Sequence, residues 1–347
     1  MGRGRKQAVT LRDVAARAGV STAVASYAIN NGPRPVSEET RARVMEAVAE
    51  LGYYPNAFAQ AMVSRRTRTI GLIFEHVTPR GLSETPFFTS YTAAVTSQLK
   101  AHRHYLLVYP IEVDEPLAEV EELLSSQRLD GVIVRLVQDA PETNPLLQTI
   151  ANARLPAVCI ERCGAPEFGF GSITYDNRQA GYEVTKYLLA QGRQRIAYLQ
   201  GPARSAAVRD RRAGYEQALS EAGIPLDETL IVGDSWAFAD AVVAAEQLLA
   251  KSAPPTAIFA ANDTLAAAAL NVLRGRGLRV PEDVAIVGFD DTSVAAESEP
   301  PLTTVRAPLV EMSERAVTRL LEALNGKQTP GDTHEVIPTQ FIRRASA

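Results

Sequence analysis

From Thr69 onward the sequence alternates short apolar runs with longer amphipathic stretches, and no other feature of the chain restricts its fold as tightly. The runs are TIGLIFEHV, HYLLVYPI, DGVIVRL, LPAVCIE, RIAYLQGP, TAIFAAND and VAIVGFDD. They are nearly continuous in apolar character, as strands covered on both faces are. Between them, residues 89–101, 115–127, 177–191, 208–222, 239–250 and 263–275 place apolar side chains at helical spacing. Strands separated by helices predict an α/β architecture of parallel sheets with helices on both sides. The strands are too many for one small sheet, so two similar lobes are expected, with LPAVCIER leading out of the first. PPLTTVRAPLVEMSERAVTRLLEAL is expected to return to the first lobe, and EVIPTQFIRR to the second.

The first 68 residues follow another rule. They hold 11 Lys and Arg against 5 Asp and Glu, a net +6 hidden inside an overall charge of −4. A basic head on an acidic body is the electrostatic footprint of a nucleic-acid binder, although a solvated basic surface has the same composition. Thr10 and Asp13 have the spacing of a capping box, and Leu11, Val14, Ala15 and Ala18 form one helix face. Gly19 stops that helix, and Ser21 can cap a second one running to about Asn30. Two short helices joined by a glycine turn make a helix-turn-helix. The small Ala15 and Ala25 let the two helices approach closely. Ser37-Glu38-Glu39 opens a third helix with Val44, Val48 and Leu51 inward and Gly52 at its end. Asn56 can then cap a short helix to about Ser64, too poor in apolar face to be stable alone. Residues 1–54 thus read as a head, 55–68 as a linker and 69–347 as the body.

Little else in the chain suggests chemistry. No apolar run approaches the roughly 20 residues of a membrane span. No apolar segment follows Arg3, Arg5 and Lys6, so a cytoplasmic location is expected. Cys159 and Cys163 lack the spacing of a zinc or redox site, and VCI makes Cys159 a core residue. The four histidines are scattered; His102 and His104 sit in a basic H-R-H that no carboxylate accompanies. No metal and no cofactor are expected. There is no G-x-S-x-G and no phosphate-binding glycine loop, and FGFG at Gly169 and Gly171 lacks the third glycine of a dinucleotide fingerprint. An enzyme is therefore disfavoured. A transport-type solute-binding protein fits the body but not the basic head.

The order helix-turn-helix, third helix, Y-x-P-N-x-x-A and strand resembles the lactose/galactose repressor family of transcription regulators. VTLRDVAARAGVS and GYYPNAFAQAM carry the resemblance, which extends over essentially the whole chain. It implies a three-helix helix-turn-helix head with a linker helix, followed by a two-lobed, periplasmic-binding-protein-like, doubly wound domain. It further implies a ligand-responsive, DNA-binding repressor. Thr22, Ala23 and Tyr27 would face the bases of a pseudo-palindromic operator. Thr10, Ser21, Ser26 and Asn30 would contact phosphates or position helices. Asn56, Ala59 and Met62 would lie in the linker, with Met62 either wedged into the minor groove or packed on the body. Val24 stands where the family usually has Thr, and Tyr27 where it has Arg. Tyr cannot read guanine as Arg does, so the usual operator does not carry over.

In doubly wound sheets ligands bind beyond the C-terminal ends of the strands, where Glu161, Asn262-Asp263 and Asp290-Asp291 fall. By resemblance Glu161, Arg211, Asn262 and Asp290 would contact an effector, with Phe87 and Phe88 lining the cleft from the first lobe. The single tryptophan, Trp236, has two readings: stacking on a sugar ring, or core packing one residue out of the family's register. Glu161 replaces a common Asp, so a slightly tighter cleft is expected; Ala307 replaces a common Gln, so a hydrogen bond from lobe closure is expected to be missing. The effector class implied is a small polar metabolite such as a carbohydrate, with nucleobases as the alternative. The chain ends FIRRASA without leucine heptads, so a homodimer is expected.

Overall fold

The computed structural model describes residues 9–30, 34–54, 61, 64, 66–76, 86–113, 115–137, 144–161, 168–327 and 334–347. It contains two compact units, Met1–Thr67 and Arg68–Ala347. In the first, α1 (Leu11–Ala18), α2 (Thr22–Asn30) and α3 (Glu38–Leu51) enclose one small core. The capping box is complete: the Asp13 amide donates to Thr10 Oγ1, and the Thr10 amide donates back to Asp13 at 2.8 Å. Gly19 ends α1 in the left-handed region at φ 66°. Ala15 and Ala25 are both buried, as the close approach of α1 and α2 requires. On α3, Val44 and Ala47 are the buried residues, while Val48 and Leu51 are half-buried beside them. Arg41 donates to the Ala28 carbonyl at 2.7 Å, satisfying one of the open carbonyls at the end of α2.

The second unit holds two sheets, each the base of a lobe. Lobe I has six parallel strands: β1 (Thr69–His76), β2 (Tyr105–Glu112), β3 (Gly131–Leu136), β4 (Ala157–Glu161), β5 (Gly171–Tyr175) and β11 (His334–Ile337), in the order β11-β5-β4-β3-β1-β2. The inner six residues of β1 are all buried, so both faces are covered. One face carries α4 (Pro86–Ala101) and α12 (Leu309–Leu324); α5 (Ala118–Ser125) and α6 (Pro145–Asn152) pack in the core of the other. Cys159 is buried within β4.

Lobe II has four parallel strands, β6 (Ile196–Leu199), β7 (Ile231–Val232), β8 (Ala257–Ala260) and β9 (Ala285–Val287), ordered β7-β6-β8-β9. Bridges from Val287 and Asp290 extend it to the segment holding β10 (Thr304–Arg306), which pairs antiparallel with β12 (Gln340–Ile342). Its helices are α7 (Asn177–Ala190), α8 (Ala206–Glu221), α9 (Phe238–Leu249), α10 (Asp263–Gly275) and the short α11 (Ser293–Glu297). Helices α7 and α8 meet backbone to backbone. A Cβ on Gly214 would lie 2.0 Å from the Arg178 carbonyl oxygen, and one on Gly181 2.3 Å from that of Arg211.

The connections between lobes differ in detail from the sequence expectation. The chain leaves lobe I after β5, not after β4. LTTVR stays in lobe II as β10, and α12 is the part that returns to lobe I. The segment EVIPTQFIRR divides: EVI belongs to β11 beside β5, and only QFI reaches lobe II as β12. The backbone thus crosses between lobes three times, at residues 175–177, 306–309 and 337–340. Pairing partners decide these memberships, and a partner is not a property of the local sequence.

Candidate functional site

The head presents one face of α2 outward. Ala25 and Ala28 point into the core, which leaves Thr22, Ala23 and Asn30 exposed and Ser26 and Tyr27 half-exposed. These five residues recur at helical spacing on a single face. Ser21 accepts from the Val24 amide at 3.3 Å, so its hydroxyl caps α2. Asn30 donates to Ser26 at 3.4 Å, and the Thr10 hydroxyl donates to Asp13 at 2.8 Å. Thr10, Ser21 and Ser26 therefore have structural tasks besides any contact with DNA. Asn56, Ala59 and Met62 lie outside the described residues, as does Cys163.

In the body, a cleft lies between the strand ends of the two lobes. The space within it, its open mouth included, is about 760 Å³. Phe87, Glu161, Arg211, Trp236, Asn262 and Asp290 all line it, although they are spread over more than two hundred positions of sequence. Phe88 does not line it: its ring packs against Phe74 at 4.5 Å between centroids, and Phe74 is the wall residue. Consecutive residues of a helix point about 100° apart, and here Phe87 faces the cleft while Phe88 turns onto Phe74.

Each lobe contributes a cation and a carboxylate. In lobe I, Arg135 Nε donates to Glu161 at 2.5 Å, and its guanidinium lies over Phe74 at 4.5 Å. In lobe II, Arg211 lies 3.7 Å from Asp290 and stacks on Phe289 at 3.5 Å. Arg211 also donates to Asn177 at 2.8 Å and to the Ala261 carbonyl, so a buried charge is held from several sides. Both acids sit on strained backbone, with φ 63° at Glu161 and 99° at Asp290. Strain of this kind persists where surrounding structure enforces it, and it collects at ligand sites.

Asp290 and Asp291 diverge, both on backbone with positive φ just beyond β9. Asp291 binds Arg306 and Arg344, each at 2.6 Å, while Asp290 faces the cleft. Asp290 Oδ1 accepts no hydrogen bond from any described residue. Burial pushes its carboxyl up to about 6 against the pull of Arg211. Asp263 is pushed up to about 7, by burial and then by Asp290; it accepts from the Thr292 amide at 2.7 Å and from Thr304 Oγ1 at 2.6 Å. Asn262 Oδ1 caps α10 through the Leu265 amide at 2.9 Å, which leaves its NH2 for a ligand. Trp236 is half-buried and both packs and lines: a Cβ on Gly201 would lie 2.5 Å from its ring. Ala307 is buried and lacks the side chain for a bond between the lobes.

Sequence reasoning missed Arg135, Tyr175 and Phe74 as wall residues, and it placed Asp263 at a ligand-side strand end without making it a contact. An arginine closing the apolar run VIVR was the available signal for Arg135, since a charge at a buried strand end needs a partner. Tyr175 lies on β5, a strand that had not been recognised.

The arrangement offers paired donors and acceptors around an aromatic wall, suited to a ligand rich in hydroxyls or amides. Among the described residues no group of three His, Cys, Asp or Glu could hold a metal ion. A helix-turn-helix unit followed by a two-lobed ligand-binding body defines a class: DNA-binding regulators that respond to small molecules. Residues 10–56 match the bacterial regulatory protein lacI family, and residues 185–347 match the periplasmic binding protein-like domain. The chain is 36% identical to the HTH-type transcriptional regulator CelR of Thermobifida fusca over 346 residues, 99% of each protein. It also resembles the solved CelR–cellobiose complex (33% identity, TM-score 0.73, covering 98% of this chain and 100% of that one). The Lac repressor dimer bound to operator and the anti-inducer ONPF is similar too (27% identity, TM-score 0.84, 98% and 99% covered). The chain belongs to the lacI family of bacterial regulatory proteins and is an HTH-type transcription regulator. No helix among the described residues is long and apolar enough to cross a membrane.

Proposed function

We propose that this protein is a homodimeric, cytoplasmic repressor, not an enzyme, and that an uncharged carbohydrate in the interlobe cleft controls its hold on a pseudo-palindromic operator. The observation that carries the reading is the cleft itself. Arg135–Glu161 and Arg211–Asp290 face one space beside Trp236 and Phe87. Each cationic group there already has a carboxylate, so no net positive charge awaits an anion. Asp290 Oδ1 is paired with Arg211 at 3.7 Å but accepts no hydrogen bond from a described residue, and a ligand hydroxyl would supply one. The cellobiose held by a relative of similar fold supports a sugar. Thr22, Ala23 and Tyr27 are the base-reading residues in this account. Residues 1–54 form the reading head, 55–68 the linker with Met62 at the dimer axis, and 69–347 the effector-binding and dimerising body. The two lobes shift on binding and alter the pairing of the linkers, a coupling of two sites through one two-state element. The test is selection of genomic fragments by the purified full-length protein, with and without cellobiose and other neutral sugars. Enrichment of a two-fold symmetric site that one sugar changes is the expected result. Absence of an enriched site under every condition would overturn the repressor reading.

A further inference from the structure

Tyr175 occupies an unusual place. It is the last residue of β5, two positions before α7, so it stands where the chain first crosses from lobe I to lobe II. It is buried, yet it lines the cleft. Its hydroxyl lies between the two charge pairs. Arg211 Nη2 of lobe II donates to it at 3.2 Å, and it faces Glu161 Oε1 of lobe I at 3.5 Å. Guanidinium can only donate, carboxylate can only accept, and a phenol has one hydrogen. The direction is therefore fixed: Arg211 donates to Tyr175, Tyr175 to Glu161, and Arg135 to Glu161 from the other side. The Tyr175 ring also stacks on Phe289 of lobe II at 6.3 Å, and Arg211 lies over that same ring. A backbone bond from the Ala206 amide to the Val137 carbonyl at 2.9 Å also joins the lobes, but it involves none of the cleft's charged groups.

We infer that the Tyr175 hydroxyl is a positioning group that ties the cleft acid of lobe I to the cleft base of lobe II and sets the resting spacing of the lobes. A molecule that hydrogen-bonds Glu161 or Arg211 competes with this tie or completes it. The hydroxyl thus translates occupancy of the cleft into lobe spacing. That regulatory consequence rests on reading the cleft as the effector site; the tie itself does not.

The experiment is hydrogen–deuterium exchange on the full-length protein without any added sugar, comparing wild type, Tyr175→Phe and Tyr109→Phe. Tyr175→Phe keeps the ring and its stack and removes only the hydroxyl. Tyr109→Phe removes a phenol bond to Glu119, 2.8 Å long and confined to lobe I, and serves as the control. Peptides covering the crossings at 175–177, 306–309 and 337–340 are expected to exchange about threefold or more faster in Tyr175→Phe. The same peptides should match wild type in Tyr109→Phe, and β1 and β8 should be unchanged in both variants. Wild-type exchange at the crossings of Tyr175→Phe overturns the inference. So does equal acceleration in β1 and β8, which would make the hydroxyl a general prop of the fold. Because no effector is present, either failure leaves the sugar reading standing, and failure of that reading leaves this result intact.

Discussion

Asp290 has a carboxyl that burial holds well above its exposed counterpart. Its folded value of about 6 lies above the ordinary 3.8. Between those values the folded state keeps a proton that the unfolded chain has released. Stability therefore falls as pH rises through about 4 to 6, and the loss is complete above 6. Asp290→Asn removes this dependence. The stability of the variant relative to wild type should increase by about 2 kcal/mol between pH 4.5 and pH 7.5. Urea unfolding at the two pH values measures it, and an unchanged difference would contradict the buried, raised carboxyl. Gly201 supplies a second prediction at this scale. Its missing Cβ is what allows the Trp236 ring to lie against the backbone, 2.5 Å from where that Cβ would be. Gly201→Ala should push the ring toward solvent and shift its emission to the red. The chain has one tryptophan, so the signal has one source. An emission maximum that stays in place would mean that the ring accommodates a methyl group.

At the scale of elements, caps and crossings are the informative features. Ser37 caps α3 by accepting from the Thr40 amide at 3.3 Å. It takes no part in the proposed reading face, so Ser37→Ala isolates the cap. The head should lose about 1 kcal/mol, seen as faster amide exchange in residues 38–51, while α10 keeps wild-type exchange. Acceleration in both elements would show that the cap is not what the substitution disturbed. The helix starts and stops of the head were legible because Thr10, Gly19, Ser21, Ser37 and Gly52 each do a local backbone job that needs no partner elsewhere. Most body strands were legible for a different reason: burial on both faces demands unbroken apolar runs. GSITY is the instructive failure. With Gly, Ser and Thr in five positions it has too little apolar content to read as a strand, and its membership comes from the neighbours β4 and β11. Losing that strand meant losing Tyr175. Helix α6, at PLLQTIAN, is absent from the helical stretches that the sequence pattern singles out. The acids at strand ends could be found because doubly wound topology fixes where ligands sit. Arg135 offered only the sign of a charge closing a buried run, because the carboxylate that gives it a role lies 26 positions away.

The whole molecule carries its charge unevenly, +6 in residues 1–68 and −10 in the remainder. DNA affinity must then come from the head and linker against a repulsive body, and it should fall steeply with salt. Met62 is where the proposed linker role can be separated from that general attraction. Met62→Ala should weaken binding to the selected operator by tenfold or more, about 1.4 kcal/mol, and leave binding to random duplex nearly as it was. Fluorescence anisotropy with the two duplexes at matched salt distinguishes the cases. Equal losses on both would end the wedge reading.

The three crossings between the lobes have a mechanical consequence. Two bodies joined by one strand of chain form a ball joint, free to swing, twist and slide. Two attachments leave an axis to turn about. A third, at a separate point, resists twist and translation and leaves bending as the soft motion. The lobes of this body, tethered at 175–177, 306–309 and 337–340, are therefore a flexure with nearly one degree of freedom. A small molecule in such a device needs no directed push. Whatever differential binding energy it supplies has only one coordinate on which to act.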